Sequence, residues 1–118
     1  EALVAECVLA GQKAGVEDIL LGTLDTTFPG FDWKNRAAYM LERMMVHGGR
    51  RAAEMNEVAL MLDDLGLNAG MTRAAENWQE TIGNLNLDGQ EANYQRRADR
   101  IIDALNEKSL ARKRNNPV

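Results

Sequence analysis

The chain has 118 residues with 14 Lys and Arg against 18 Asp and Glu, a formal net charge of -4. One domain of this length can bury a core, and 45% apolar with 27% charged residues is the composition of a globular rather than a disordered chain. The acidic balance argues against a nucleic-acid binder, and one cysteine with one histidine excludes an internal disulfide and an all-Cys/His zinc site.

Alternating β-branched runs are absent and Ala, Leu, Glu, Arg and Met are frequent, so the expected class is all-α. The chain opens on "EALVAECVLAG" with no Ser, Thr, Asp or Asn to cap it. It reads as starting inside a helix and is expected to be a fragment or a processed product. The first helix is predicted over Ala2–Ala14, stopped by Gly15. Leu3, Val4, Cys7, Val8, Leu9 and Ala10 cover most of its circumference. Such a helix is expected to be buried on more than one side, against another domain or a second chain, with Cys7 a buried small hydrophobe.

A second helix is predicted in "VEDILLGTLDTTF", with Ile19, Leu20, Leu24 and Phe28 sharing a face and Glu17 and Asp18 suiting its first turn. Pro29 and Gly30 break it, and Asp32 is placed to cap the next. That third helix, "WKNRAAYMLERMMVHG", carries a stripe of Trp33, Ala37, Met40, Leu41 and Met44. Gly48 and Gly49 then either end it or let another backbone approach closely. The fourth helix is predicted over Arg50–Leu65, with Met55, Val58, Ala59, Leu62 and Leu65 inward and Gly66 as its stop. A fifth spans Thr72–Ile82 with Trp78 and Ile82. The last runs from about Glu91 to Ala111, with Tyr94, Ala98, Ile101, Ile102, Leu105 and Leu110 inward and a fraying basic end, "ARKRNNPV".

The stretch "HGGRRAAEM" holds the one histidine. His47, Arg50 and Arg51 before a helix start suit a carboxylate or phosphate, because backbone N–H groups and cations then point at one place. Glu54 is spaced to orient an arginine or to serve as an acid or base. The plainer reading is a helix junction with a solvated face and an i,i+4 pair. The methionines Met40, Met44, Met45, Met55 and Met61 read as core filling ahead of an adaptable binding surface. The basic residues near Arg96, Arg97, Arg100 and "ARKRNN" read as a solvated face. "AAEMNEVALMLDDLGLNAGMTRAAENWQ" has a helix-turn-helix outline, but Glu76 and Glu80 on its second helix would repel phosphates. No dinucleotide fingerprint, P-loop, HExxH or GxSxG motif occurs.

Three segments together carry a resemblance: "EALVAECVLAGQKAGVEDILLGTLDTTFPGFDW", "HGGRRAAEM" and "LDDLGLNAGM". Over roughly residues 1–82 the chain resembles the helical C-terminal domain of NAD(P)-dependent oxidoreductases of the 6-phosphogluconate and 3-hydroxyisobutyrate dehydrogenase superfamily. The subgroup it looks most like has a C-terminal domain labelled as of unknown function. The resemblance implies an N-terminal Rossmann domain that holds NAD or NADP, absent here, and a single helical domain over residues 1–118. It also implies a homodimer interface and part of a site for a small anionic substrate. The family's catalytic lysine is expected just upstream of Glu1, and Lys13 does not match it. Glu54 falls on the acidic position of a Lys-Asp pair near the family's active-site cleft, with Ala53 where the lysine stands. Arg50 or Arg51 would supply that charge.

The expected function is therefore the dimerisation and substrate-facing part of a hydroxy-acid dehydrogenase, inactive alone. Its rivals are a stand-alone helical interaction module and, third, a helix-turn-helix regulator. The substrate-binding residues expected are His47, Arg50, Arg51 and Glu54, with no catalytic, cofactor or metal residue in this chain. No apolar run reaches membrane-spanning length and no signal peptide opens the chain, so neither membrane nor nucleic acid is an expected partner and the expected compartment is the cytoplasm.

Overall fold

A computed structural model describes residues 1–90 and 93–116. Among these there are five helices and no strand: α1 (Ala2–Ala14), α2 (Glu17–Thr27), α3 (Trp33–Asp64), α4 (Gly70–Gly83) and α5 (Tyr94–Asn115). The all-α expectation holds. The stops hold too: Gly15 and Gly66 adopt φ of 72° and 71°, the left-handed region that glycine enters without a Cβ penalty.

The Gly48–Gly49 pair does not break the chain. The third and fourth predicted helices are one helix of 32 residues, and the reason is close approach. A Cβ on Gly48 would lie 2.8 Å from the Cα of Gly83, and one on Gly83 would lie 2.6 Å from the backbone nitrogen of Gly49. Two helices therefore touch backbone to backbone where α4 crosses α3. Arg73 meets Asp63 near the connecting turn, while Gly48 meets Gly83 far from it. The two helices thus lie side by side and antiparallel, unlike the steeply crossed pair of a helix-turn-helix.

The core lies where α1, α2, α4 and α5 pack around the first half of α3. Val8, Leu21, Leu41, Met44, Ile82 and Ile101 are its largest fully buried side chains. Ala5, Ala37 and Ala98 are buried among them and keep the helices close.

Several faces differ from expectation. On α1 only Ala5, Val8, Leu9 and Gly11 are buried. Leu3 is 71% exposed, and Cys7 is exposed rather than buried, because one side of α1 has no neighbour among the described residues. On α2 the buried residue is Leu21, whereas Ile19 and Phe28 face solvent; the short helix turns one narrow edge to the core. Leu65, Met61 and Leu110 are exposed as well, since α3 and α5 extend past the packed region. Asp32 makes no capping bond. The Trp33 N–H donates instead to Asp25 Oδ1 at 2.9 Å.

α5 begins at Tyr94, capped by Asn93, whose side chain accepts from the N–H groups of Gln95 and Arg96. That is a favourable N-cap residue doing its usual work. Glu91, the predicted start, lies outside the described residues, as do Pro117 and Val118 of the expected fraying end. The helix itself continues to Asn115. Arg97 is buried and donates to the carbonyls of Ala38 at 2.6 Å and Gly89 at 2.9 Å, which pins the 85–90 segment onto α3 and α5.

Candidate functional site

His47, Arg50, Arg51 and Glu54 follow one another at steps of three, one and three residues. On a helix those steps bring all four to one side. They do so in the interior of α3 and not at a helix start. Interior N–H groups are consumed by the helix's own bonds, so the anion-binding helix terminus expected from the sequence does not exist here. Only side chains are left to bind a ligand.

Those side chains divide. Arg50 Nη1 donates to Glu54 Oε1 at 2.6 Å, with the two side chains 60% and 51% exposed. This is an i,i+4 surface pair, a contact worth a few tenths of a kcal/mol. Arg51 reaches inward. Its Nη1 donates to Glu1 Oε2 at 2.8 Å, and that pair is only 29% and 17% exposed. His47 is half-buried and belongs to neither ion pair.

The carboxylate of Glu1 collects a second donor. Gln79 Nε2 on α4 reaches the same Oε2 at 2.9 Å, and Gln79 is 5% exposed. Glu1, Arg51 and Gln79 thus form one polar cluster that joins the start of α1 to the middle of α3 and the C-terminal half of α4. A carboxylate so enclosed needs its donors, because an unpaired buried charge is far costlier than an unpaired surface one. The sequence singles out Arg51, as a substrate-binding residue with His47, Arg50 and Glu54, but neither Glu1 nor Gln79. The signal for Gln79 was present: it stands on the apolar side of α4, four residues after Ala75 and three before Ile82, where a polar residue needs a partner.

Beside this cluster an open apolar groove of about 250 Å³ runs between α1 and α4, lined by Ala2, Leu3, Glu6, Met71, Ala74 and Trp78 among others. Trp78 Nε1 donates to Glu6 Oε1 at 3.3 Å across it. Met71 is 83% exposed, and Leu60, Met61, Leu65 and Leu67 continue the apolar surface around the tip of the α3–α4 hairpin.

A third polar group ties the other ends of the helices. Tyr94 Oη donates to Asp18 Oδ1 at 2.7 Å, and Lys34 Nζ lies 3.4 Å from the same oxygen. The tyrosine bond, then the lysine, hold the Asp18 carboxyl below its usual value. Burial, then the Asp18 bond, push the Tyr94 hydroxyl well above the ordinary tyrosine range. The group clips α2, α3 and α5 together. Among the described residues no cluster of His, Cys, Asp and Glu has the arrangement of a metal site, and no helix is long and apolar enough to cross a membrane.

The family model described as a domain of unknown function, DUF1932, matches residues 12–82. The chain belongs to this family. DUF1932 domains occur in the C-terminal region of 6-phosphogluconate dehydrogenase-like proteins. The chain is also similar to a solved structure, described as the crystal structure of a conserved hypothetical protein from Sinorhizobium meliloti 1021. The two are 34% identical with a TM-score of 0.79, over 87% of this chain and 36% of that one. The chain thus spans little more than a third of the solved relative's length. No curated protein matches.

The DUF1932 match covers α2 and α4 whole apart from the last residue of α4, all of α3, and the last turn of α1. It therefore includes His47, Arg50, Arg51, Glu54 and Gln79, and the solved relative's overlap extends to most of the chain.

Proposed function

We propose that this chain is the dimerisation and substrate-facing domain of an NAD(P)-dependent dehydrogenase-like protein that acts on a hydroxy acid or a related alcohol/carbonyl substrate. The observation that carries the reading is membership of DUF1932, a domain of the C-terminal region of 6-phosphogluconate dehydrogenase-like proteins. In this reading a Rossmann domain preceding the helical domain holds NAD or NADP, and a lysine upstream of Glu1 is the general acid/base for hydride transfer.

Within this chain the substrate-facing side is that of His47 and Arg51, next to the first turn of α1. Arg51 keeps a solvent-facing edge, 29% of its side chain, through which a guanidinium can take a carboxylate or phosphate. Arg50 and Glu54, paired on the surface, set the charge at the rim. The apolar surface of Leu3, Met71 and the hairpin tip supports the dimer, since an exposed patch of this kind marks an interaction surface.

The test is turnover. The full-length protein is assayed with NAD⁺ and NADP⁺ against a panel of hydroxy acids, beside this chain alone. Hydride transfer by the full-length protein and none by this chain is the expected result. Turnover by this chain alone, or none by the full-length protein, overturns the proposal. Arg51→Ala is expected to raise KM for the substrate; an unchanged KM removes Arg51 from the substrate-facing role.

A further inference from the structure

α4 packs on α3, and α5 barely meets it. A cleft of about 420 Å³ therefore remains between the C-terminal end of α4 and the C-terminal half of α5. Glu80 and Thr81 line it on the α4 side, and Leu105, Lys108, Ser109 and Arg112 on the α5 side. The four α5 residues follow one another at steps of three, one and three, so they share one side of that helix. Leu105 is half-buried against the core and gives the cleft an apolar base. The volume is that of a small-molecule site, and the walls are charged, so a fitting ligand is itself charged.

The charges in the cleft are separated by sign. Glu80 sits in the last turn of α4, where the free carbonyls already carry partial negative charge. An acid there runs against local electrostatics, and α4 has no basic residue in that turn. Lys108 offsets only the backbone: its Nζ donates to the Asn84 carbonyl at 3.0 Å. Of the three cations in the last turn of α5, Arg112 is the one that lines the cleft. Among the described residues neither Glu80 nor Arg112 joins an ion pair. Opposite charges thus line one space without meeting. A side chain kept against a local preference, with no internal partner to explain it, is a feature expected at a functional site.

We propose that this cleft binds a small zwitterion, a free α-amino acid, with its ammonium at Glu80 and the carbonyl end of α4 and its carboxylate at Arg112 and Ser109. An ammonium is a donor only, and a carboxylate and backbone carbonyls are its natural acceptors. A guanidinium and a hydroxyl are donors to a carboxylate, the guanidinium in a charge-assisted bond. An anion alone leaves Glu80 uncompensated, and a cation alone leaves Arg112 so. A zwitterion compensates both and adds no net charge. Thr81 remains for a polar group on the ligand's own side chain. The site shares no residue with the His47–Glu54 stretch, so it does not rest on the dehydrogenase reading.

The experiment is calorimetric titration of the full-length protein with glycine, L-serine and L-glutamine, beside acetate and ethylammonium as single-charge probes. The expected result is saturable binding of at least one amino acid. Acetate and ethylammonium are each expected to bind about tenfold or more weakly, since each lacks one charge-assisted contact. Glu80→Gln and Arg112→Gln are each expected to weaken amino-acid binding by about tenfold or more. Both side chains are exposed, so the circular dichroism spectrum is expected to stay that of wild type. No saturable binding of any of the three amino acids overturns the proposal. Acetate bound as tightly as the amino acid also overturns it, because the site is then one for anions. A wild-type affinity in either variant overturns it as well, because the amino acid then sits elsewhere. None of these outcomes depends on turnover, so the dehydrogenase reading stands or falls separately.

Discussion

At the scale of single residues the chain separates polar groups that serve the surface from those that hold helices together. Arg50 and Glu54 lie on the surface, and Arg51, one residue on, is drawn into the Glu1 cluster. A step of about 100° around the helix makes that difference. The Tyr94–Asp18 bond is of the second kind and predicts a pH signature. Asp18 has a lowered folded value, so its contribution is present above the unfolded carboxylate range, near 4, and is lost as pH falls through the lowered value. Tyr94 is raised, so its contribution is complete below about pH 10 and is lost only above that. Tyr94→Phe is expected to lower the melting temperature by a few degrees at pH 7. Thermal melts of both proteins at a series of pH values from 7 downward should show the gap narrowing as the pH falls, because the Asp18 carboxylate that accepts the bond becomes protonated.

At the scale of elements the decisive contact is the crossing of α3 and α4. Gly48 and Gly49 are adjacent and look equivalent in the sequence, yet only on Gly48 would an added Cβ meet the backbone of α4. A Cβ on Gly49 would have nothing within 4 Å. Gly49→Ala is therefore expected to stabilise the protein by about 0.5–1 kcal/mol, the helix penalty of glycine relieved. Gly48→Ala is expected to destabilise it by about 1–3 kcal/mol, because the helices must move apart and the overpacking outweighs the propensity gain. Urea denaturation of the two variants reads the opposite signs directly. The uninterrupted α3 also explains why the His47–Glu54 stretch lacks an anion-binding helix terminus: packing across the glycines keeps the helix continuous where local signals alone permitted a break.

At the scale of the whole molecule the apolar surface of Leu3 and Met71 is the feature the fold leaves uncovered. Each such side chain contributes about 1.5–3 kcal/mol when fully buried, enough for a few of them to support an interface. Light scattering of the full-length protein is expected to give a dimer, and Leu3→Asp with Met71→Asp to shift it to monomer with an unchanged circular dichroism spectrum. A variant that remains dimeric places the interface elsewhere. From the sequence α1 is expected to be apolar over most of its circumference, and in the structure Cys7 and Leu3 stand on it exposed.

The sequence by itself determined the helical class, the C-terminal end of α1, the glycine stops at Gly15 and Gly66, and the core stripe of Ala37, Leu41 and Met44. These follow from periodicity and backbone preference, which act over a few residues and can be read locally. The resemblance to the dehydrogenase C-terminal domain was legible for the same reason, as three local segments, and the DUF1932 match agrees with it at the level of the family. Only the tertiary structure decided that Gly48 joins helices instead of ending one, that Arg51 and Arg50 have different partners, and that Gln79 completes the Glu1 cluster. Each depends on residues about 35 to 80 positions apart in the chain, and contacts between such distant residues are set by how whole helices pack, which no local pattern records.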